Sequence, residues 1–435
     1  MSTPMQQIES SLKFIRGLGE VDELIAASMG EKLSPEPVNS HIHLPPNFSA
    51  FATVEDAVRM ADSEGVAALG ASNYYDYLVY GRFSSLAQNA GIFPIYGTEL
   101  IGMVDNLRDQ GIRINDPGNP GKIYLCGKAI TWFASLSNEA RRYLDVIRGN
   151  DRHRMLVMIE KMNDIFAKRG VLISLDESSI INHIVMRYAC PRESIFLQER
   201  HVAQAYQECV FERFDPAVRM ATVEKLLDKP SKMKSPEDAA TLQGELRSTL
   251  MKSGCPAFVE ETFIDIHAIC TLILELGGYP CYPVLADGAA PICEFEESAE
   301  ALGEKLKSLG IFAAEFIPSR NQPEVLEHFV TTLRHAGIIV TAGTEHNTPG
   351  HLPIDPKCAG GVEMSEKMRA IFWEGACVAA AHQYLTLNGC TGYIDANGLL
   401  NQKVGSQPGR IESLASLGQA VIRRFQCAGK NKKKY

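Results

Sequence analysis

Short apolar runs alternate with amphipathic stretches along most of the chain, and that alternation predicts the fold. The first run ends at Asn39-Ser40-His41-Ile42-His43 and stops at Pro45-Pro46. Thr53 then caps a helix with acids in its first turn, running to Glu64-Gly65. Val66 to Ala71 reads as a buried strand, a helix spans about Gly81 to Ala90, and Ile92 to Tyr96 is the next strand, followed by Gly97-Thr98-Glu99-Leu100. Strands separated by helices argue for parallel strands joined by crossovers. A stretch rich in Gly, Asn, Asp and Pro, about 102 to 122, reads as a loop before the strand Lys122 to Gly127.

A mainly helical region follows. Asp151 to Arg169 carries Met155, Met158, Ile159, Met162 and Ile165 along one stripe, the pattern of a core-facing helix. Further helices are predicted at 199 to 213, 216 to 228 and 237 to 252, so residues 137 to 256 read as a helical insertion. Alternation resumes with a helix from Glu260 to Leu276, a strand Cys281 to Ala286, a helix from Ser298 to Leu309, a strand Ile311 to Ile317, a helix from Pro323 to Ala336 and a last strand Ile338 to Ala342. That makes about seven strand–helix units over 37 to 350, an α/β fold of the distorted (β/α)7, TIM-like barrel kind. Residues 1 to 36 form a lead-in with one amphipathic helix through Ile8, Leu12, Ile15, Leu18 and Val21. Residues 351 to 435 add helices at 365 to 388 and 409 to 426 and a basic end, Lys430 to Lys434, read as a solvated tail.

Composition narrows the function. The 435 residues are 45% hydrophobic and 22% charged, an ordinary globular balance, and the net charge of −9 gives no attraction to nucleic acid or an anionic membrane. Neither a nucleic-acid polymer nor a membrane is expected as partner. The 11 cysteines lack a Cys-x-x-Cys pair and suggest reduced thiols, and with no signal peptide evident the chain is expected to be cytoplasmic. Oligomeric state is left open.

Chemistry collects at strand ends. On a strand, alternate side chains share a face, so His41 and His43 point the same way. Glu99, Asp287 and Glu345-His346 also fall just past predicted strands, and a parallel barrel brings such ends to one face. Imidazoles and carboxylates together suit one or two divalent ions such as Zn, Mn or Fe, which activate water and offset charge on a phosphoryl or carbonyl oxygen. Arg320, after the sixth strand, has the planar donor set for a phosphate or carboxylate. His351 and Lys128 are weaker candidates. His153, His183, His267, His328, His335 and His382 lie in helical patterns without partners and read as structural.

The order of HxH after the first strand, Gly97-x-Glu99 after the third, Glu199-Arg200-His201-Val202-Ala203 in the insertion and Gly343-Thr344-Glu345 after the last resembles the polymerase and histidinol phosphatase (PHP) superfamily over residues 37 to 350. The resemblance implies His41, His43, Glu99, His201 and Glu345 as metal ligands. It also implies metal-dependent hydrolysis of a small anionic substrate, most simply a phosphoester, with Asp287 and His346 ligating or moving protons and Arg320 orienting the anion. The chain departs from the family's pattern at Phe48-Ser49-Ala50, Ser72-Asn73-Tyr74, Ala286-Asp287-Gly288 and Asn347. Those departures imply a reduced ligand set. Two other readings stay open: an amidohydrolase- or uronate-isomerase-like enzyme acting on a sugar acid or amide, and a barrel that binds a metal or ligand without turnover.

Overall fold

The computed structural model describes residues 3–47, 49–347, 352–404 and 409–431. Phe48, Thr348, His351 and the basic end beyond residue 431 lie outside them. The chain forms two compact units. One comprises Met1–Pro45, Ser49–Tyr143 and Ile264–Tyr435, and the other Pro46–Phe48 and Leu144–Phe263.

The first unit is a nearly closed, mostly parallel barrel with helices around it. Its strands are β1 (Val38–Ile42), β2 (Ala68–Ala71), β3 (Phe93–Met103), β4 (Lys122–Lys128), β5 (Ile264–Asp265), β6 (Tyr279–Val284), β7 (Ala313–Phe316) and β8 (Ile339–Ala342). Their order is β1-β2-β3-β4-β6-β7-β8, with the two-residue β5 beside β3. Seven barrel strands match the sequence expectation because most are buried and largely apolar, while β1 (Val38-Asn39-Ser40-His41-Ile42) is buried yet polar at its centre.

Closure between β1 and β8 rests on few bonds. The His43 N–H donates to the Glu345 carbonyl at 2.8 Å, and the Glu345 and Thr344 N–H groups donate to the His41 carbonyl at 2.9 and 3.0 Å. Gly343 sits at this seam, where a Cβ would lie 2.3 Å from the His41 Cβ.

Three features differ from the sequence reading. β4 runs antiparallel to both β3 and β6, since strand direction leaves no mark on an apolar run. β3 continues to Met103 by pairing with β4, so Glu99 lies inside the strand, opposite Cys126, rather than beyond its end. The lead-in is two helices, Pro4–Arg16 and Val21–Ser28, interrupted at Gly17 and Gly19; Gly19 has φ +151°.

In the helical unit the methionine stripe is core. Met155, Met158, Ile159 and Met162 pack with Phe166, Tyr206, Leu226 and Leu246. The predicted helix at 199 to 213 is observed as Glu199–Arg213. No described helix is long and apolar enough to cross a membrane. None of the eleven cysteines is joined in a disulfide.

Candidate metal centre

The period of a strand brings His41 and His43 to the same side of the chain as β1 ends, and their rings meet edge-on with centroids 5.0 Å apart. Glu99 reaches them from the middle of β3. Three donor atoms make a near-equilateral triangle: His41 Nε2 to Glu99 Oε2 3.4 Å, His43 Nε2 to Glu99 Oε2 3.3 Å, and His41 Nε2 to His43 Nε2 3.4 Å. The three residues are 1%, 1% and 6% exposed, so water does not offset the charge of the carboxylate. Glu99 Oε2 is buried without a well-formed hydrogen bond.

This donor set fits a metal. Atoms 3.3–3.4 Å apart subtend about 105° at a common ion about 2.1 Å from each, close to the tetrahedral angle. Two imidazoles and one carboxylate, with a fourth position open, are a composition of hydrolytic zinc sites. The ring of His41 is held for the purpose. Its Nδ1 lies 2.7 Å from Glu315 Oε1, so Nδ1–H donates to the carboxylate and the Nε2 lone pair faces Glu99 and His43. His41, Cys126 and Glu315 form a second candidate group, but the 2.7 Å contact within it is a hydrogen bond, too short for two ligands of one ion.

Electrostatics agree with a cation-seeking pocket. Burial pushes the Glu99 carboxyl up, but the two imidazoles 3.3–3.4 Å away outweigh it and hold the group well below the usual carboxylate range. Burial disfavours charge on His41, yet the Glu315 charge outweighs it and raises the imidazole well above its ordinary value. The phenol of Tyr74 stacks on His43, ring centroids 5.7 Å apart, and burial followed by the nearby Glu99 charge keeps it protonated.

The other candidates stand in different surroundings. Glu345 has φ +58° and His346 φ +46°, left-handed conformations that turn the chain sharply after β8. Both Glu345 carboxylate oxygens take donors from Arg320, and Oε2 also accepts from Asn347 Nδ2 at 2.6 Å. His346 Nδ1 accepts from the Thr344 hydroxyl at 2.5 Å and Nε2–H donates to the Leu352 carbonyl at 3.1 Å, while the ring stacks on Phe51. Asp287 accepts from Asn321 Nδ2 at 2.8 Å and from the Gln322 N–H at 3.1 Å, tying down the entry to the helix Pro323–His335. His201 belongs to the helical unit. Its Nδ1 accepts from the Gln198 N–H and its Nε2–H donates to the Pro46 carbonyl, both at 3.2 Å, and burial lowers its pKa to about 4. Glu345 and His201 therefore become ligands only by giving up these bonds. Asn73, one of the departures from the family pattern, accepts from the Leu44 N–H at 2.8 Å and pins the turn after the two histidines.

Glu315 escaped the sequence reading altogether, and Lys128 was only a weak candidate there. The available signal was a lone acid inside the strand Ala313-Ala314-Glu315-Phe316, a residue type that is buried only with a partner.

No protein-family profile matches the chain, and no curated protein does. Two solved structures resemble it in shape. One, from Bifidobacterium adolescentis, is designated a metal-dependent phosphoesterase; the match has 12% identity and a TM-score of 0.49, and covers 77% of this chain and 96% of the other. The second is an amidohydrolase from Chromobacterium violaceum with bound sulfate and no metal, at 12% identity and a TM-score of 0.48, covering 77% and 97%.

Proposed function

We propose that the barrel is a metal-dependent hydrolase of a small anionic substrate, phosphoesters foremost, with His41, His43 and Glu99 as its metal ligands. The observation that carries this reading is the buried triangle of two imidazole nitrogens and one carboxylate oxygen, sized for a single divalent ion. A zinc, manganese or iron ion held there supplies an activated water and an electrophile for a phosphoryl or carbonyl oxygen.

The chain's own groups do the rest. Glu315 holds His41 with its lone pair inward. Arg320, exposed and paired with Glu345 at the β1–β8 seam, has a planar guanidinium suited to a substrate phosphate or carboxylate. Tyr74, kept as a phenol, donates a hydrogen bond to Glu99. Cysteines without disulfides fit a reducing compartment, and a cytosolic location is part of the proposal.

The test is elemental analysis of protein purified without a histidine tag, followed by a panel of phosphomonoesters, phosphodiesters, lactones, amides and uronates with zinc or manganese added. Metal retention with phosphoester turnover supports the reading. Turnover confined to amides, lactones or uronates assigns the site to the other hydrolytic chemistry, and metal retention without turnover makes it a binding protein.

A further inference from the structure

Behind the triangle lies a second, wholly buried charged group that no metal ligand requires by itself. Lys128 is the last residue of β4, and its side chain shares the inward face with Cys126 two residues before. Its Nζ lies 2.6 Å from Glu315 Oε2 and donates to the Ser40 carbonyl at 2.8 Å and the Ser72 hydroxyl at 3.3 Å. The Thr341 hydroxyl donates to the same Glu315 oxygen at 3.2 Å, while the other oxygen holds His41. Lys128 is 1% exposed and Glu315 0%.

A buried ion pair is poor value as stability, since well-packed apolar residues of similar volume do as well or better. Its geometry suggests another use. Lys128 grips His41 at two points: through Glu315 on the imidazole, and through the Ser40 carbonyl on the backbone immediately before it. The two places where the His41 ring proton can sit are unequal, with Glu315 2.7 Å from Nδ1 and Glu99 3.4 Å from Nε2. A carboxylate anchored at the shorter distance keeps the proton on Nδ1. If Glu315 turned away, the proton would move to Nε2 and block the ligand lone pair.

We propose that Lys128 is a positioning residue of the metal centre, acting through Glu315 to hold His41 in its metal-binding tautomer. This rests on the metal-site reading of His41, His43 and Glu99 and extends it to residues that touch neither metal nor substrate. The experiment compares Lys128→Met, Lys128→Arg and Glu315→Gln with Glu374→Gln. Glu374 pairs with Arg334 elsewhere in the barrel unit and serves as a control for lost ion pairing alone. Zinc affinity is read by competition with a chelator, thermal stability by unfolding, and the His41 ring proton by nitrogen-15 NMR of histidine-labelled, metal-free protein.

Glu315→Gln and Lys128→Met should weaken zinc binding about 10- to 100-fold and shift or broaden the Nδ1 proton signal, with Lys128→Arg recovering most of the affinity. Glu374→Gln should lower the unfolding temperature and leave zinc affinity unchanged. The proposal is overturned if Lys128→Met and Glu315→Gln lose stability like the control yet bind zinc within twofold of the parent. If Lys128→Met does not fold, the near-isosteric Glu315→Gln decides. If the parent protein binds no metal, the metal-site reading falls, and an Nδ1 signal indifferent to Glu315→Gln would separately sink the positioning role.

Discussion

Gly343→Ala is the most searching single-atom perturbation of the centre, because it acts on His41 from behind without changing any ligand side chain. The added methyl would stand 2.3 Å from the His41 Cβ and 2.9 Å from its backbone nitrogen and oxygen. Carbon atoms in contact settle at about 3.5 Å or more, so β1 and β8 must separate by roughly 1.2 Å. The strands meet there through the bonds of Thr344, Glu345 and His43, and those bonds must stretch with them. A metal ligand tolerates about 0.5 Å, and an error of about 1 Å costs on the order of 100-fold. We therefore predict a 100-fold loss of zinc affinity, measured by chelator competition, with a stability loss of about 1–3 kcal/mol from overpacking. Gly149→Ala, in the helix Asn138–Lys168 with open space around it, should leave zinc affinity alone. A Gly343→Ala protein that binds zinc within threefold of the parent would refute the view that the β1–β8 seam sets the His41 position.

Other outcomes follow from the same geometry. Arg320→Lys loses the planar fork and should raise KM for an anionic substrate about tenfold with little change in kcat; steady-state kinetics with equal effects on both would count against an anion-binding role. Asp287→Ala should cost about 1–2 kcal/mol in denaturant unfolding, through its bonds to Asn321 and Gln322, and leave metal affinity intact. Acid should destabilise both units. Burial lowers the pKa of His382, in the barrel unit, and of His201, in the helical unit, to about 4 against about 6.5 unfolded. Each is neutral when folded, so its contribution is complete above about pH 6.5 and is lost as pH falls towards 4, roughly 3 kcal/mol apiece. Urea midpoints that stay level between pH 7 and 4.5 would contradict this.

Much of the barrel was legible because a strand buried on both faces must be apolar, and that pattern survives in sequence. Cys281-Tyr282-Pro283-Val284 and Ile339-Val340-Thr341-Ala342 show it plainly. The reversal of β4 was not legible, since a hairpin-like return and a crossover leave the same apolar run. For the same reason Glu99 looked like a residue beyond a strand, although pairing with β4 keeps it within one. His41 and His43 were found by their period, whereas Glu315 was hidden because its partners, Lys128 and His41, are far from it in sequence and adjacent only across the barrel. His201 and Glu345 were singled out by the motif resemblance, and Glu345 also by its place after a strand, and neither reveals that a carbonyl, an amide N–H or a guanidinium already occupies a side chain.

A crystal structure of untagged protein soaked in zinc, with anomalous data at the zinc edge, tests the metal centre most directly. The geometry predicts a single strong peak about 2.1 Å from His41 Nε2, His43 Nε2 and Glu99 Oε2, abolished in Glu99→Ala. A peak elsewhere, or none at this triangle with zinc in excess, would contradict it.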